Sequence, residues 1–330
     1  MASKGVRAGL VLACLAGSAV APSLHAQDLA PRAYTITPVG SNAFTLADAY
    51  NDGPLQLEGA SPIENGTARL NVPSLTYYRA FSLLGRSANV IAGVAYGWGD
   101  FDGSLFGDSV STYRSGFFDP VVRVSVNLLG GPAMSLPEMM KWRQKTLLGV
   151  SLKVTAPTGQ YDSTRLINLG TNRWAFKPEL GLSRRWGNWI LDVYGAVWLF
   201  TENPEFFSRN EWVPGVQSQK ADPVYVAETH LSYDFRPRLW VSLDGNFWRG
   251  GTLTVGGVEV PATLQENSRV GVTASFPVTY HNSVKVSLAR GAYIRFGGDF
   301  KVLSVAWQYS WITGASPPPK ARTSSSPRQE

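Results

Sequence analysis

The chain has 330 residues, of which 12% are aromatic and only 16% charged, and it includes 11 Trp, 13 Tyr and 33 Gly. This composition is unlike that of an ordinary soluble domain of the same length. Five of the basic residues behind the formal net charge of +6 lie near the chain ends, so the charge is weak evidence for nucleic-acid binding and we expect no nucleic-acid partner.

Residues 1–26 have the features of a secretory signal peptide. Lys4 and Arg7 precede an apolar run that starts at Ala8, and Ala26 provides a small residue for cleavage. The run is shorter than the roughly 20 residues that a membrane-spanning helix needs. Cleavage would also remove Cys14, the only cysteine, and would lower the formal net charge from +6 to +4. A mature chain without cysteine has no disulfide and no thiolate metal site.

The last 17 residues, 314–330, are rich in Pro and Ser, and we predict that they form a disordered tail. This leaves residues 27–313 as one folded unit. Nothing in that unit approaches the roughly 18 uninterrupted apolar residues typical of a spanning helix, so a membrane crossing would have to use strands.

The segment from Lys301 to Thr313 reads KVLSVAWQYSWIT, with Leu, Val, Trp, Tyr and Trp at alternate positions from Leu303 onward. Because successive side chains of a strand point to opposite sides, this period of two predicts a strand with one apolar face. The strand resembles the closing strand of an outer-membrane β-barrel. Alternation of this kind recurs between residues 27 and 313, where we place about twelve strands.

The connections between these strands alternate in length. The short ones lie at 85–86, 187–188, 236–238 and 279–282, and the long ones at 51–66, 100–116, 158–172, 202–222 and 250–265. Outer-membrane barrels have short periplasmic turns and longer external loops. We therefore predict an all-β, antiparallel up-and-down barrel over residues 27–313 with both termini in the periplasm. The link at 130–145 is a long exception, in which Ser135 and Pro137 predict the start of a short helix.

Alternation alone does not separate a membrane barrel from a soluble β-sandwich, but the positions of the aromatic residues favour the barrel. Apolar-face aromatics beside the short turns are Trp186, Trp189, Tyr233, Phe235, Phe276, Tyr309 and Trp311. Apolar-face aromatics at the opposite strand ends are Tyr96, Trp98, Phe176, Tyr225 and Phe247. Two aromatic belts are expected where a barrel meets the two surfaces of a membrane.

Five sequence blocks resemble the outer-membrane transporter-like family named for the meta-pathway of phenol degradation. They are TPVGSNAFTL (37–46) and the blocks at 114–136, 156–183, 231–251 and 297–311. The resemblance implies a Gram-negative outer-membrane barrel that is inserted by the barrel-assembly machinery and contacts outer-membrane lipid. It also implies passive passage of small solutes, with aromatic compounds as candidates. One departure is that 19 residues follow Trp311, whereas outer-membrane strands commonly finish the chain on an aromatic residue.

Polar-face side chains are expected to line the lumen of such a barrel. The predicted lumen residues are Arg123, Lys153, Lys177, Glu179, Asp192, Tyr194, Trp198, Glu228, His230, Asp234, Trp240, Asp244, Asn246, Arg269, Lys285 and Gln308. Five are basic and five acidic, which argues against a strongly ion-selective pore. One interpretation is that many of them pair across the interior and fill it. The other is that they line a path along which the aromatic rings, Trp248 included, stack planar solutes.

Two other function classes remain open at this stage. Folding the chain at residues 236–238 places His230 across from Asp244 with Ser232 close by, which suggests a hydrolase triad, although same-strand neighbours about 7 Å apart do not form a nucleophile–base pair. We expect an ion pair there and no catalytic residues. Two separated histidines predict no metal site, and no cofactor is indicated. A structural or surface-binding barrel that uses its external loops without transport is the main alternative to a channel.

Overall fold

A computed structural model describes residues 29–57 and 63–313 of the chain. The predicted signal peptide and C-terminal tail lie outside the described residues. The strands are β1 (Ser41–Gln56), β2 (Ile63–Leu83), β3 (Arg86–Leu105), β4 (Asp108–Phe117), β5 (Val121–Leu129), β6 (Thr146–Thr155), β7 (Ala175–Trp186), β8 (Trp189–Phe200), β9 (Gln219–Ala221), β10 (Val224–Arg236), β11 (Leu239–Gly250), β12 (Leu253–Val255), β13 (Val258–Val260), β14 (Gln265–Pro277), β15 (Asn282–Ile294), β16 (Gly297–Gly298) and β17 (Lys301–Ile312). The helices are α1 (Leu136–Lys141) and a 3-10 turn at Pro261–Thr263.

The sheet closes on itself through its first strand. β1 pairs antiparallel with β2 on one side and with β17 on the other, so that Phe44 lies opposite both Tyr77 and Tyr309. Around the ring, the order is β1, β2, β3, β5, β6, β7, β8, β10, β11, β14, β15 and β17. β4 pairs with the far half of β3 and continues the position of β5. This arrangement confirms the predicted antiparallel barrel of about twelve strands.

The connections divide the barrel into a short-turn end and a loop end. At the short-turn end, Leu84 and Gly85 join β2 to β3 with φ values of 50° and 76°. Two successive positive φ values are typical of the tight turn that matches the twist of a β-hairpin. The loop end carries the longer connections at residues 156–174, 201–223, 251–264 and 295–300. We use these two names for the ends throughout.

The predicted long loop at residues 100–116 is wrong. β3 continues to Leu105, β4 begins at Asp108, and the two strands form a hairpin with Phe106 and Gly107 at its tip. The outward positions of this hairpin include Asp100 and Asp102, which are polar. The hairpin therefore extends past the apolar part of the wall, where the alternation used to recognise strands no longer holds.

The predicted helix in the long link between β5 and β6 is confirmed as α1. Ser135 is its N-cap residue, and the Glu138 carboxylate accepts hydrogen bonds from the Ser135 backbone N–H and hydroxyl, both at 2.7 Å. These bonds hold the pKa of Glu138 below its usual range. Within residues 29–57 and 63–313, no helix combines the length and the apolar character that crossing a bilayer requires.

The apolar faces of the strands form the outer wall of the barrel. Trp189 packs edge-on against Tyr233 near the short turns, with ring centroids 4.9 Å apart, and Tyr96 packs against Phe117 toward the loop end, at 5.1 Å. Between these levels the wall is aliphatic; Val193 and Leu243, for example, are 45% and 62% exposed. Large apolar side chains exposed over a whole wall are typical of a surface that faces lipid.

Candidate functional site in the barrel lumen

The polar faces of the strands point into the barrel and carry all of the predicted lumen residues. Nine are buried: Lys177, Asp192, Tyr194, Trp198, Glu228, His230, Asp244, Asn246 and Arg269. Six are half-buried: Arg123, Lys153, Glu179, Asp234, Trp240 and Gln308. Lys285 is exposed. Whether a solute passes along these side chains stays a prediction.

A chain of ion pairs runs along the lumen wall from β5 through β7 to β10. The Lys177 ammonium contacts the Glu228 carboxylate at 2.8 Å and the Glu179 carboxylate at 2.9 Å. The second oxygen of Glu179 contacts the Arg123 guanidinium at 3.1 Å. Each buried charge therefore has a partner of opposite sign, which is what allows ionised groups to persist away from bulk water.

His230 on β10 lies opposite Asp244 on β11, as predicted from the turn at residues 236–238. His230 Nδ1 lies 2.8 Å from the Asp244 carboxylate, which also accepts hydrogen bonds from the Ser242 and Thr273 hydroxyls. Ser232 is buried, and its hydroxyl has no hydrogen-bond partner among the described residues. The three groups therefore do not form the hydrogen-bonded series that a Ser-His-Asp nucleophile needs.

Residues 29–40, here called the N-terminal segment, lie inside the barrel next to these groups. Tyr34 is 1% exposed, and its hydroxyl lies 3.0 Å from a Glu179 carboxylate oxygen and 3.2 Å from the Ser151 hydroxyl. Its ring rests on Gly149 and Gly181, which are paired on β6 and β7, and a Cβ at either glycine would overlap the ring. The lumen wall thus contains a glycine-lined recess that accommodates Tyr34.

Arg32 fixes the same segment closer to the short-turn end. Its guanidinium contacts the Asp234 carboxylate at 2.7 Å and lies 4.3 Å from the centre of the Trp240 ring. Its backbone N–H donates to the Asp192 carboxylate at 3.2 Å, and the Ala33 N–H donates to the Tyr194 hydroxyl at 3.1 Å. Together with Glu179, which contacts Tyr34, five predicted lumen residues are therefore already bound to the N-terminal segment.

The lumen aromatic rings do not present open faces to a stacked solute. Tyr194 has Tyr34 and His230 beside it, each with a centroid distance of 5.3 Å. Trp198 stacks on Phe200 at 6.3 Å, and Trp248 is fully buried, with its indole N–H donating to Gln265 at 2.9 Å. Stacking of a planar solute would require these contacts to be displaced.

Apolar side chains close the lumen toward the loop end. Leu70 and Phe101, on the inner wall, pack in one cluster with Phe206 and Phe207 from the 201–223 loop and with Phe300, all buried. A small cavity of about 100 Å³ lies at the edge of this cluster. It is lined by Leu55, Leu57, Ile63, Phe101, Asp102, Gly103, Val110, Ser111, Thr112 and Ile167. The loops therefore form an apolar core above a polar lumen.

The 156–174 loop is anchored to the break between β4 and β5. The buried Asp119 carboxylate accepts hydrogen bonds from the Gly159 N–H at 2.8 Å, from the Thr171 N–H at 2.9 Å and from the Thr171 hydroxyl. In the same loop, the Arg173 guanidinium lies 4.5 Å from the Phe200 ring centre, and burial lowers its pKa to about 10. The loop is thus held over the mouth of the barrel by specific contacts.

Sequence reasoning missed the N-terminal segment and the apolar loop core. The available signals were residues 27–40, which lie between the predicted cleavage site and β1, and the facing glycines on the polar faces of β6 and β7. Neither signal on its own indicates that the N-terminal segment packs against these glycines. For metals, residues 29–57 and 63–313 contain no group of three or more His, Cys, Asp or Glu side chains arranged to hold an ion.

The architecture is similar to that of a solved outer-membrane channel. The first of the similar solved structures is the COG4313 outer membrane channel from Pseudomonas putida F1, with a TM-score of 0.69 and 18% identity, covering 86% of this chain and 100% of that one. The transport unit of the autotransporter AIDA-I from Escherichia coli has a TM-score of 0.47 and 11% identity, and the match covers 93% of this chain and 97% of that one. The β domain of the Bordetella autotransporter BrkA has a TM-score of 0.45 and 10% identity, and the match covers 82% of this chain and 100% of that one.

A search of curated proteins found no match to the chain. A family model, described as "Putative MetA-pathway of phenol degradation", matches residues 54–300, which is 247 of the 330 residues. The matched region contains ten of the twelve barrel strands in full, β2 to β15 of the ring, and the residues of the ion-pair chain. The fold is therefore that of an outer-membrane β-barrel, and the chain belongs to the family described as the putative MetA-pathway of phenol degradation.

Proposed function

We propose that the protein is an outer-membrane channel through which small molecules pass passively. The observation that carries this proposal is the division of the strands into an apolar outer wall and an interior of charged and polar side chains. An interior filled only for stability would not need the ion pairs of Lys177 and Glu228, because apolar side chains of similar volume are as stabilising. The similar structure from Pseudomonas putida F1 is itself described as an outer membrane channel.

The short-turn end and both chain termini face the periplasm in this proposal, and the loop end faces outward. The long loops at one end and the short turns at the other support this orientation. The N-terminal segment then narrows the periplasmic side of the lumen, and the apolar loop core closes the outer side. Passage requires movement of one or both, because the lumen residues between them are largely buried.

The solute would be small and uncharged or weakly charged, and aromatic compounds are candidates. The apolar cavity of about 100 Å³ at the loop end has room for a compact molecule and is lined by Leu55, Phe101 and other apolar side chains. The balance of basic and acidic groups in the lumen supports weak ion selectivity. The family description, which names phenol degradation, is consistent with such solutes.

We assign no catalytic role to the His230 group. Ser232 has no hydrogen bond to His230, and the imidazole is directed instead to the Asp244 carboxylate. This contact supports a structural ion pair in the lumen. Lipid of the outer membrane and a small solute are the partners that the proposal requires, and insertion by the barrel-assembly machinery belongs to the same proposal.

Liposome swelling tests the proposal directly. The purified chain, reconstituted in phospholipid vesicles, is expected to admit solutes that do not cross a bilayer unaided, such as small neutral sugars and aromatic glycosides, faster than protein-free vesicles do. A matched control is a preparation denatured before reconstitution, which should leave the vesicles tight. Vesicles that respond to no solute in the presence of folded protein would contradict passage and favour a structural or surface-binding barrel.

A further inference from the structure

A groove of about 470 Å³ lies on the outer wall, on the side of the barrel where β14, β15, β17 and β1 meet. Apolar side chains form most of it: Tyr50, Leu243, Val270, Val272, Ala289, Leu288, Val302 and Leu303. Several of them face outward, for example Leu288, which is 57% exposed, and Leu303, which is 45% exposed. The groove therefore opens toward the membrane and is separate from the lumen.

The groove forms where two neighbouring strands diverge. β15 pairs with β17 only as far as Ala289, which lies opposite Val302, although β15 continues to Ile294. β15 also has a register shift against β14, at Ser268 and Arg269. Irregularities of this kind bend a strand, and a bend in the wall leaves a concave surface between the side chains on either side.

Two cations lie at the loop end of this groove. Arg290 and Lys301 stand opposite each other, one position beyond the last paired residues of β15 and β17, and both line the groove. Both side chains are exposed, and neither has a hydrogen-bond or ion-pair partner among the described residues. Asp52 on β1 also lines the groove, opposite Lys301, so its rim carries two positive charges and one negative charge.

The cations lie where the outer wall changes from apolar to charged. On β1, the next outward position after Tyr50 is Asp52, and on β3 the next outward position after Trp98 is Asp100. These charged residues lie at one level of the wall, because Asp52 pairs in register with both Lys301 and Arg69, and Arg69 pairs with Asp100. Amphipathic rings at the edge of a barrel's apolar band mark the membrane interface. Arg290 and Lys301 are therefore at the depth of lipid headgroups, with the apolar part of the groove below them.

We propose that this groove binds one lipid A-type molecule of the outer leaflet, with a phosphate between Arg290 and Lys301 and an acyl chain along Leu288 and Leu303. An arginine guanidinium and a lysine ammonium are the side chains that recognise phosphate most effectively. The apolar groove beneath them fits a hydrocarbon chain, whereas a free phosphate would make no contact with the groove. The assignment rests on the outward orientation of the loop end proposed above, but not on conduction through the lumen.

Native mass spectrometry of the full chain in detergent micelles tests this inference, with purified lipid A titrated as the probe. The double variant R290Q/K301Q is expected to bind lipid A about tenfold more weakly, because two charge-assisted contacts to phosphate are lost. R290K should retain most of the binding. Arg249→Gln is the matched control, since Arg249 also lies at the loop-end rim but faces Glu266 on β14, away from the groove.

Three results would overturn the inference. The first is equal binding of lipid A by wild type and by R290Q/K301Q. The others are that wild type binds dephosphorylated lipid A, or phosphatidylglycerol, as tightly as it binds lipid A. Leu288→Trp provides an independent test of the acyl-chain contact. The larger side chain fills the groove without changing its charge and should weaken the binding of lipid A. In bilayers free of lipid A, R290Q/K301Q should conduct like wild type. Failure of the lipid site is thereby distinguished from failure of the channel.

Discussion

The Tyr34 hydroxyl lies 3.0 Å from the Glu179 carboxylate, and this hydrogen bond joins the N-terminal segment to the ion-pair chain of the lumen wall. Below the hydroxyl, the Tyr34 ring fills the recess over Gly149 and Gly181. The position of the segment therefore depends on both a polar contact and a shape match. Each can be removed separately by substitution.

Gly181→Ala is expected to force Tyr34 out of its recess. The added methyl would overlap the ring, and overpacking of this kind costs about 1–3 kcal/mol. In a Tyr34→Ala background the same change should cost little, because the overlapping ring is gone. Urea unfolding followed by tryptophan fluorescence in micelles measures both costs. Gly195→Ala is the control, since no atom lies within 4 Å of a Cβ there, and equal costs of Gly181→Ala in both backgrounds would contradict the fit.

Lys177→Met should destabilise the barrel strongly. It leaves the Glu179 and Glu228 carboxylates buried without their shared cation, and breaking a buried ion pair typically costs about 3–5 kcal/mol. The double change K177M/E228Q should recover much of the loss, because Glu179 keeps Arg123 as its partner and the uncompensated Glu228 charge is gone. The thermal transition of the folded band on gel electrophoresis reports the difference. A single variant as stable as wild type would show that the pairs do not form.

Asp119→Ala is expected to release the 156–174 loop without unfolding the barrel. The substitution removes three hydrogen bonds to one buried carboxylate, and hydrogen bonds to charged groups contribute about 1.5–3 kcal/mol each. Limited proteolysis should then cut the loop faster than in wild type. Thr158→Ala, a change at an exposed residue of the same loop, serves as the control, and unchanged cleavage in Asp119→Ala would contradict the anchor.

Val193→Arg tests the assignment of the outer wall. Val193 lies between the aromatic levels of β8, and an arginine on the lipid face near the middle of a membrane costs about 2–4 kcal/mol. Tyr225→Arg, near the loop end of β10, should cost far less because the interface is close. Equilibrium unfolding in phospholipid vesicles compares the two. Equal costs would indicate that Val193 does not face lipid.

The local features of this fold were readable from the sequence. The alternation from Leu303 to Trp311 predicted which face of β17 points outward, because the contrast between lipid and lumen imposes a period of two. The turn at residues 236–238 set the register that brings His230 to Asp244. In both cases neighbouring positions of the chain carry all the information needed.

The parts that could not be predicted depend on contacts between distant segments. Tyr34 meets Glu179 across 145 positions, and Phe206 packs with Phe300 from another loop. Neither contact has a periodic pattern, because these residues lie in irregular backbone. The β3–β4 hairpin was missed for a related reason, since Asp100 and Asp102 face outward past the apolar part of the wall, where the period of two is lost.

Single-channel recording in planar bilayers tests the central claim most directly, namely that the lumen is a passive path narrowed by the N-terminal segment. Wild type is expected to give small, discrete currents, and the variant R32A/Y34A larger ones, because the side-chain contacts of the segment to Asp234 and Glu179 are removed. Gly195→Ala should match wild type. Absence of current from both wild type and the folded R32A/Y34A variant would contradict the account.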